Sequence, residues 1–310
     1  MKHAISVVIA VYNEEENVDI LHKRITEVMR SIGKSYEIIF VDDGSTDLTF
    51  KKLSSIHAGD KSTKVVKLRR NCGQTMAWRA GFVKAQGDII VTLDGDLQND
   101  PKDIPRLLKK LDEGYDVVSG WRKKRKDAPG KKALSFMANI IRKHILFDGT
   151  HDAGCSLKAY RKEAAKSLEL FGDLHRYATT VAHIKGYRVG EVVVEHHKRA
   201  YGKTKYGFTR VFKGLLDLFF LRFWSEYKTK PLHFFGFLGL MQYFLSFAIF
   251  VQQIIKALIK SKLLAGPLFI IAVLLIITGT IFIMIGLIAE MVIRVAYQKK
   301  EPYEISNVLE

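Results

Sequence analysis

Cysteine is nearly absent from this chain of 310 residues: Cys72 and Cys155 are the only two, far apart and without CxxC or any metal-ligand spacing. That argues against a disulfide scaffold or a zinc fold and fits reduced thiols in a cytosolic setting. Histidines such as His196-His197 also lack metal spacing and read as solvated or core residues. Familiar nucleotide motifs are missing as well. No GxGxxG follows the first apolar run, and Gly202-Lys203-Thr204 resembles a P-loop ending until His197 is found where its first glycine should stand. A dinucleotide fold and a P-loop NTPase are therefore unsupported. There is no internal repeat and no low-complexity linker. Near the N-terminus, Ala4 to Tyr12 is too short to cross a bilayer and runs into Glu14, Glu15 and Glu16, so it reads as a buried strand.

Acidic residues are scarce only in the rear of the chain. Residues 1–120 carry 18 basic and 18 acidic side chains, while residues 121–310 carry 31 basic and 14 acidic and so hold the entire +17 excess. Such asymmetry calls for a phosphate-rich partner: nucleic acid, anionic lipid or a phosphorylated substrate.

The front half alternates strands and helices. Ile5 to Val11 predicts a strand, and Val18, Leu21, Ile25, Val28, Met29 and Ile32 place one apolar face on the helix after it. Strands follow at Tyr36 to Val41, Lys64 to Leu68 and Asp88 to Leu93, with helices from about Asp47 and through Ala77 to Ala85. Strands apolar on both faces imply an α/β fold with a mainly parallel, Rossmann-like sheet. Ligands in such sheets bind at the carboxyl ends of strands, where Asn13-Glu14, Asp42-Asp43-Gly44-Ser45 and Asp94-Gly95-Asp96 fall. Two carboxylates flanking one glycine on a strand-end turn suit hard Mg²⁺ or Mn²⁺, which bridge to substrate phosphates. The Asp42 to Asp47 cluster suits either the capping of the next helix or nucleotide binding.

Two long runs dominate the rear. Leu232 to Ile255 and Pro267 to Ala289 contain no formally charged side chain, and each is longer than the roughly 30 Å hydrocarbon core requires. Nine basic residues lie between Lys198 and Lys230, and Arg294, Lys299 and Lys300 follow the second run. The positive-inside rule puts both flanks in the cytoplasm. Between the sheet and the first run, Phe208, Val211, Phe212, Leu215, Phe219 and Phe223 recur at helical spacing among Arg210, Lys213 and Arg222, as in a helix lying in the membrane interface. A second basic stretch, Arg122 to Lys132, precedes apolar helical spacing at Leu134 to Ile141 and suits phosphate at a membrane surface. Nucleic acid is disfavoured, because no reader motif with interleaved aromatics is present and two spans tether the chain.

Taken in order, Ser6 to Glu14, Val41 to Asp47, Asn71 with Gly73, and Thr92 to Gln98 resemble family 2 glycosyltransferases of the GT-A fold. Arg122 to Arg125, His151 to Arg161 and Arg199 to Tyr206 narrow the resemblance to polyprenyl-phosphate glycosyltransferases, the dolichyl-phosphate mannose synthase and bactoprenol glucosyltransferase group. The resemblance covers about residues 4–230 and extends to the two spans. It implies a catalytic domain at 1–206, a juxtamembrane amphipathic helix at 207–230, two transmembrane helices within 231–297 and a cytoplasmic tail at 298–310.

The resemblance further implies that Val11, Tyr12, Asn13, Glu14, Asp42, Asp43 and Asp94 bind the nucleotide of a UDP- or GDP-sugar, and that Asp94, Asp96 and Gln98 organise Mg²⁺ or Mn²⁺. Arg122, Lys131, Ser135, Arg199 and Lys205 would contact acceptor phosphate or donor diphosphate. Asp152 is the family-matched base, or alternatively a residue that positions the acceptor or stabilises positive charge at the anomeric carbon. Lys131 and Lys158 stand where Arg is common, and Thr204 where Ser is common; Lys keeps the charge but loses the bidentate fork. The Gln-x-x-Arg-Trp motif of processive synthases is absent, which points to one sugar per acceptor. The expected reaction is an inverting, metal-dependent transfer to undecaprenyl or dolichyl phosphate at the cytoplasmic face, with room for a homo-oligomer. Transfer to another lipid such as diacylglycerol, or a non-catalytic membrane-tethered binding protein, are the competing expectations.

Overall fold

The computed structural model describes residues 3–123, 149–198, 209–260 and 266–297. The chain divides into two compact units whose boundary falls between Leu221 and Arg222. The first is a seven-stranded sheet in the order β3-β2-β1-β4-β6-β5-β7, with helices packed on it. Its strands are β1 (Ile5–Val11), β2 (Tyr36–Asp42), β3 (Thr63–Lys67), β4 (Ile89–Asp94), β5 (Val117–Trp121), β6 (Lys158–Arg161) and β7 (Val189–Val193). The mainly parallel sheet expected from the alternating apolar runs is present, and the first four strands lie within two residues of their expected ends.

Burial explains why these segments are strands. Val7, Val8, Ile9, Ile38, Ile39, Phe40, Val41, Ile90 and Val91 are fully buried, so both faces of the central strands are covered. Helices α1 (Val18–Ile32), α2 (Thr49–Gly59), α3 (Gln74–Lys84) and α4 (Ile104–Asp112) provide most of that cover. On α1 the buried set Val18, Leu21, Ile25, Val28 and Met29 reproduces the expected apolar face. The short helices α5 (Lys162–Ser167) and α6 (Ala178–Ile184) lie between β6 and β7 in the chain.

Two topological facts place the site. From β1 the chain winds outward through β2 and β3, then returns to lay β4 on the other side of β1. The reversal opens a crevice at the carboxyl ends of β1 and β4, where Val11 and Asp94 stand. Strand β6 runs antiparallel to both β4 and β5. Its entering loop, Asp152 to Leu157, therefore arrives at the same edge of the sheet as the carboxyl ends of β4 and β5.

Helix α7 (Thr209–Tyr227) carries the segment expected in the membrane interface. Leu218 and Leu221 on it are buried, while Leu216, Phe219 and Phe220 are exposed; Phe208 lies outside the described residues. In the second unit, α8 (Pro231–Lys260) and α9 (Pro267–Tyr297) are long and apolar enough to cross a membrane. Only 11% of the most apolar window of each is buried, against the mostly buried surface of a core helix. The two pack on each other. Ser246 donates to the Ala272 carbonyl at 2.7 Å, Tyr243 and Thr280 share a hydrogen bond of 2.8 Å, and Thr278 donates to Gln242 at 2.6 Å.

Candidate active site

Three βα loops meet at the carboxyl edge beside β1. Asn13, in the left-handed region at φ 54°, receives the Thr46 N–H at 2.8 Å on its side-chain oxygen and donates its own N–H to Ser45 at 2.9 Å. The Glu14 N–H donates to Thr49, and the Glu14 carboxylate accepts from the Asn17 amide at 2.6 Å. Asp42, fully buried and level with Val11 in the sheet register, accepts the Ser45 N–H at 3.0 Å on one carboxylate oxygen. Nothing among the described residues donates to its other oxygen, Oδ2. Asp43 accepts the Cys72 and Gly73 N–H groups at 2.7 and 2.9 Å and fixes the approach to α3. Burial, helped by the charge of Asp42, pushes the Asp43 carboxyl up in spite of those bonds. At the start of the next helix, α2, Asp47 accepts the Thr49 N–H at 2.9 Å, whereas Ser45 accepts from Asn13 instead.

At the end of β4, burial and the charge of Asp96 push the Asp94 carboxyl up to about 6. The Gln74 amide at the start of α3 donates to Asp94 at 2.5 Å. Tyr12 is half-buried one residue beyond β1. Gly95 sits so close to Val11 that a Cβ there would lie 2.7 Å from Val11 Cγ1. Asp94 and Asp96, an all-oxygen pair in which the charge of Asp96 opposes ionisation of Asp94, fit a hard divalent cation. Gln98 lies less plainly in that set: its N–H donates to Asp96 at 3.2 Å, while its side-chain amide reaches the His197 carbonyl at 3.4 Å. Leu97 between them takes φ 60°.

The other wall comes from β5 and the loop entering β6. Arg122, just past the end of β5, forms a bidentate pair with Asp152 through Nε at 2.7 Å and Nη2 at 2.9 Å, and its backbone N–H adds a third contact at 3.2 Å. Burial works against the Arg122 charge, but the Asp152 bonds outweigh it and push the guanidinium further up. Lys158 is fully buried and donates to the carbonyls of Ala153 and Cys155, closing the loop that presents Asp152. Desolvation pushes its ammonium down. Burial likewise raises the Cys155 thiol, which keeps it neutral. Asn99 bonds to Ser156 at 2.6 Å and Thr92 to the Ser156 carbonyl at 2.7 Å, so this loop is tied to β4 and the turn after it. Arg122 and Lys158 both act on Asp94 electrostatically, which marks the two walls as one site.

The structure thus brings Val11, Tyr12, Asn13, Glu14, Asp42, Asp43, Asp94, Asp96, Gln98, Arg122 and Asp152 to one sheet edge. Lys131, Ser135, Arg199 and Lys205, the remaining expected phosphate contacts, lie outside the described residues. Sequence reasoning missed Gln74 and Glu191. Glu191, on β7, accepts the N–H groups of both His151 and Asp152. The valine-rich Val189 to Val193 segment could have revealed the strand, but no local signal marks the target of Glu191.

Known proteins resemble this chain in sequence and in fold. Residues 6–169 match the family described as Glycosyl transferase family 2. Over 300 residues, covering 95% of this chain and 89% of the relative, the sequence is 38% identical to dodecaprenyl-phosphate galacturonate synthase of Rhizobium johnstonii. Glucosyl-3-phosphoglycerate synthase of Mycobacterium tuberculosis, solved with Mg²⁺ and UDP, superposes with a TM-score of 0.54 at 20% identity over 70% of this chain and 79% of that one. Another structure of that enzyme, with Mn²⁺, UDP-glucose and phosphoglyceric acid, gives 0.53 at 19% identity over 72% and 79%. These two likenesses concern the fold, which is GT-A-like. With the matched segment spanning more than half of the chain, the protein belongs to glycosyl transferase family 2 and is a glycosyltransferase.

Proposed function

We propose that the protein transfers a single sugar from a nucleotide sugar to the phosphate of a polyprenyl phosphate, with inversion and with a divalent cation, at the cytoplasmic face of a membrane. The observation that carries this reading is the Arg122–Asp152 pair facing Asp94 and Asp96 across one crevice. It is supported by a relative whose name states a polyprenyl-phosphate product and which aligns through both apolar helices.

The chemistry assigns each wall a task. Asp42 Oδ2, buried and without a donor, suits an N–H of the nucleoside base. Asp94 and Asp96 would hold Mg²⁺ or Mn²⁺, which supplies neutralising charge to the departing nucleoside diphosphate. On the opposite wall, Arg122 commits two side-chain N–H groups to Asp152 and keeps three for phosphate oxygens. An oxygen of the lipid phosphate forms the bond to the anomeric carbon as the bond to the diphosphate oxygen breaks, and that electron pair leaves with the nucleotide. A phosphate monoester has a second pKa of about 6 and is already largely dianionic at neutral pH. Proton removal is therefore a small part of the barrier, and Asp152 serves chiefly to orient Arg122 with the acceptor and to offset positive charge at the anomeric carbon.

The basic flanks of both apolar helices support a cytoplasmic site. The test is a screen of nucleotide sugars, beginning with a nucleotide-linked galacturonate, against undecaprenyl phosphate in detergent, with product mass measured. One sugar added to the lipid phosphate is expected. Transfer to diacylglycerol in preference, or addition of several sugars, overturns the acceptor or the single-transfer reading.

A further inference from the structure

Asp152 is gripped at two places. Its side chain is held by Arg122, and its backbone is held by a residue from the far edge of the sheet. Glu191, in the middle of β7, accepts the His151 N–H on both carboxylate oxygens at 2.9 and 2.8 Å and the Asp152 N–H at 3.0 Å. The same carboxylate accepts from His151 Nδ1 at 2.8 Å, so that nitrogen carries the proton. The other side of the His151 ring is fixed too, stacked on Trp121 with centroids 4.3 Å apart and planes 16° from parallel. Trp121 is the last residue of β5, adjacent to Arg122. His151, Asp152, Trp121 and Arg122 therefore form one rigid corner, and Glu191 is its outer brace.

Strand formation does not require this glutamate. The β5–β7 ladder runs through backbone groups from Val117–Val189 to Trp121–Val193, and Glu191 pairs there with Ser119. Its side chain is nonetheless only 12% exposed. Burying a carboxylate costs free energy unless its charge is satisfied, and here two consecutive backbone amides and an imidazole satisfy it.

We propose that Glu191 is a positioning residue for sugar transfer: it sets the backbone from which Asp152 reaches Arg122, acting through Asp152 and touching neither donor nor acceptor. This rests on the reading that Asp152 takes part in the transfer step. A displacement of about 1 Å in such a corner is enough to cost on the order of 100-fold in rate.

The experiment is a double-mutant cycle on the full-length protein with undecaprenyl phosphate and the nucleotide sugar that the donor screen identifies. Glu191→Ala should lower kcat by about 30-fold while leaving the donor KM within about twofold. In the Asp152→Asn background the same substitution should change residual turnover by less than about threefold, because a brace has no effect once what it braces is lost. A full 30-fold loss in that background, or a raised donor KM with kcat unchanged, overturns the positioning role. Parent-level turnover by Asp152→Asn alone would instead overturn the reading of Asp152. If circular dichroism shows Glu191→Ala unfolded, Glu191→Gln carries the test. It keeps one acceptor oxygen and should lose about fivefold, with the same dependence on background.

Discussion

The two walls of the crevice are built from different materials. On the donor wall, loops adjacent in the chain are laced by neutral and charge-assisted hydrogen bonds to backbone amides, as between Asn13 and Thr46 or Asp43 and Gly73. On the acceptor wall, charges are buried against one another or against backbone: Arg122 on Asp152, Lys158 on two carbonyls, Glu191 on two amides. Hydrogen-bonded lacing holds a shape and forgives single losses. Buried charge holds both a shape and a potential, and removing one partner strands the other at several times the cost of a lost neutral bond. The hydrogen-bonded loops of the donor wall should therefore fail gradually and the acceptor wall abruptly, while Asp94 and Asp96, the carboxylates proposed to hold the cation, stand outside that contrast.

Asp96→Ala should produce the largest loss, more than about 100-fold in turnover with an unchanged circular dichroism spectrum, because the proposed function gives this carboxylate the cation at the diphosphate. Near-parent activity in metal-defined assays would end the cation assignment. Next, Arg122→Lys should cost tens of fold in kcat while keeping the charge, since an ammonium cannot reproduce the two-point grip on Asp152. Equal activity would mean that only charge matters on that wall and that the contrast drawn above is wrong.

A third change probes the donor wall sterically. Gly95→Ala forces a Cβ against Val11, and overpacking of this kind costs about 1–3 kcal/mol. Nucleotide affinity by calorimetry should weaken more than kcat does. The smallest effect should lie far from the crevice. Burial would raise the Glu37 carboxyl, but Lys64, Ser6 and the Gln86 N–H outweigh it and hold it below its usual value. Its contribution to stability is thus complete above the unfolded glutamate pKa of about 4.3 and disappears as pH falls through the lower folded value. The stability gap between parent and Glu37→Gln should narrow as pH is taken from 6 to 3. A gap that widens reverses the sign.

The donor wall was also the more legible one. Each of its carboxylates closes an apolar run whose β-branched residues announce a buried strand, so Asn13, Asp42 and Asp94 could be placed at strand ends from periodicity. Helix α3 begins at Gln74, ahead of the expected Ala77, because Gly73 at φ 88° makes the turn into it. The acceptor wall offered no comparable signal. Strand β6 is four residues long and opens on a fully buried lysine, a pattern that periodicity reads as surface. Arg122 and Asp152 are separated by thirty positions and meet only because β6 runs against its neighbours. The charge run from Arg122 marked phosphate without a partner, family resemblance supplied Asp152, and both passed over Glu191 because a brace on backbone amides has no fixed spacing from what it holds.

The crossing of α8 and α9 sets the order in which an anchor of this kind can be assembled. Gly239 lies against Gly279 so closely that a Cβ on Gly239 would fall 2.6 Å from the Gly279 carbonyl oxygen. Around this contact Gln242, Tyr243 and Ser246 all find partners on the later helix. During synthesis α8 leaves the ribosome first, carrying three polar side chains and a notch into lipid before anything can fill it. Until α9 arrives, those polar groups lack the partners that the finished pair gives them. A chain cut short between the two helices would be left with a sticky tether, a worse outcome than a weak one.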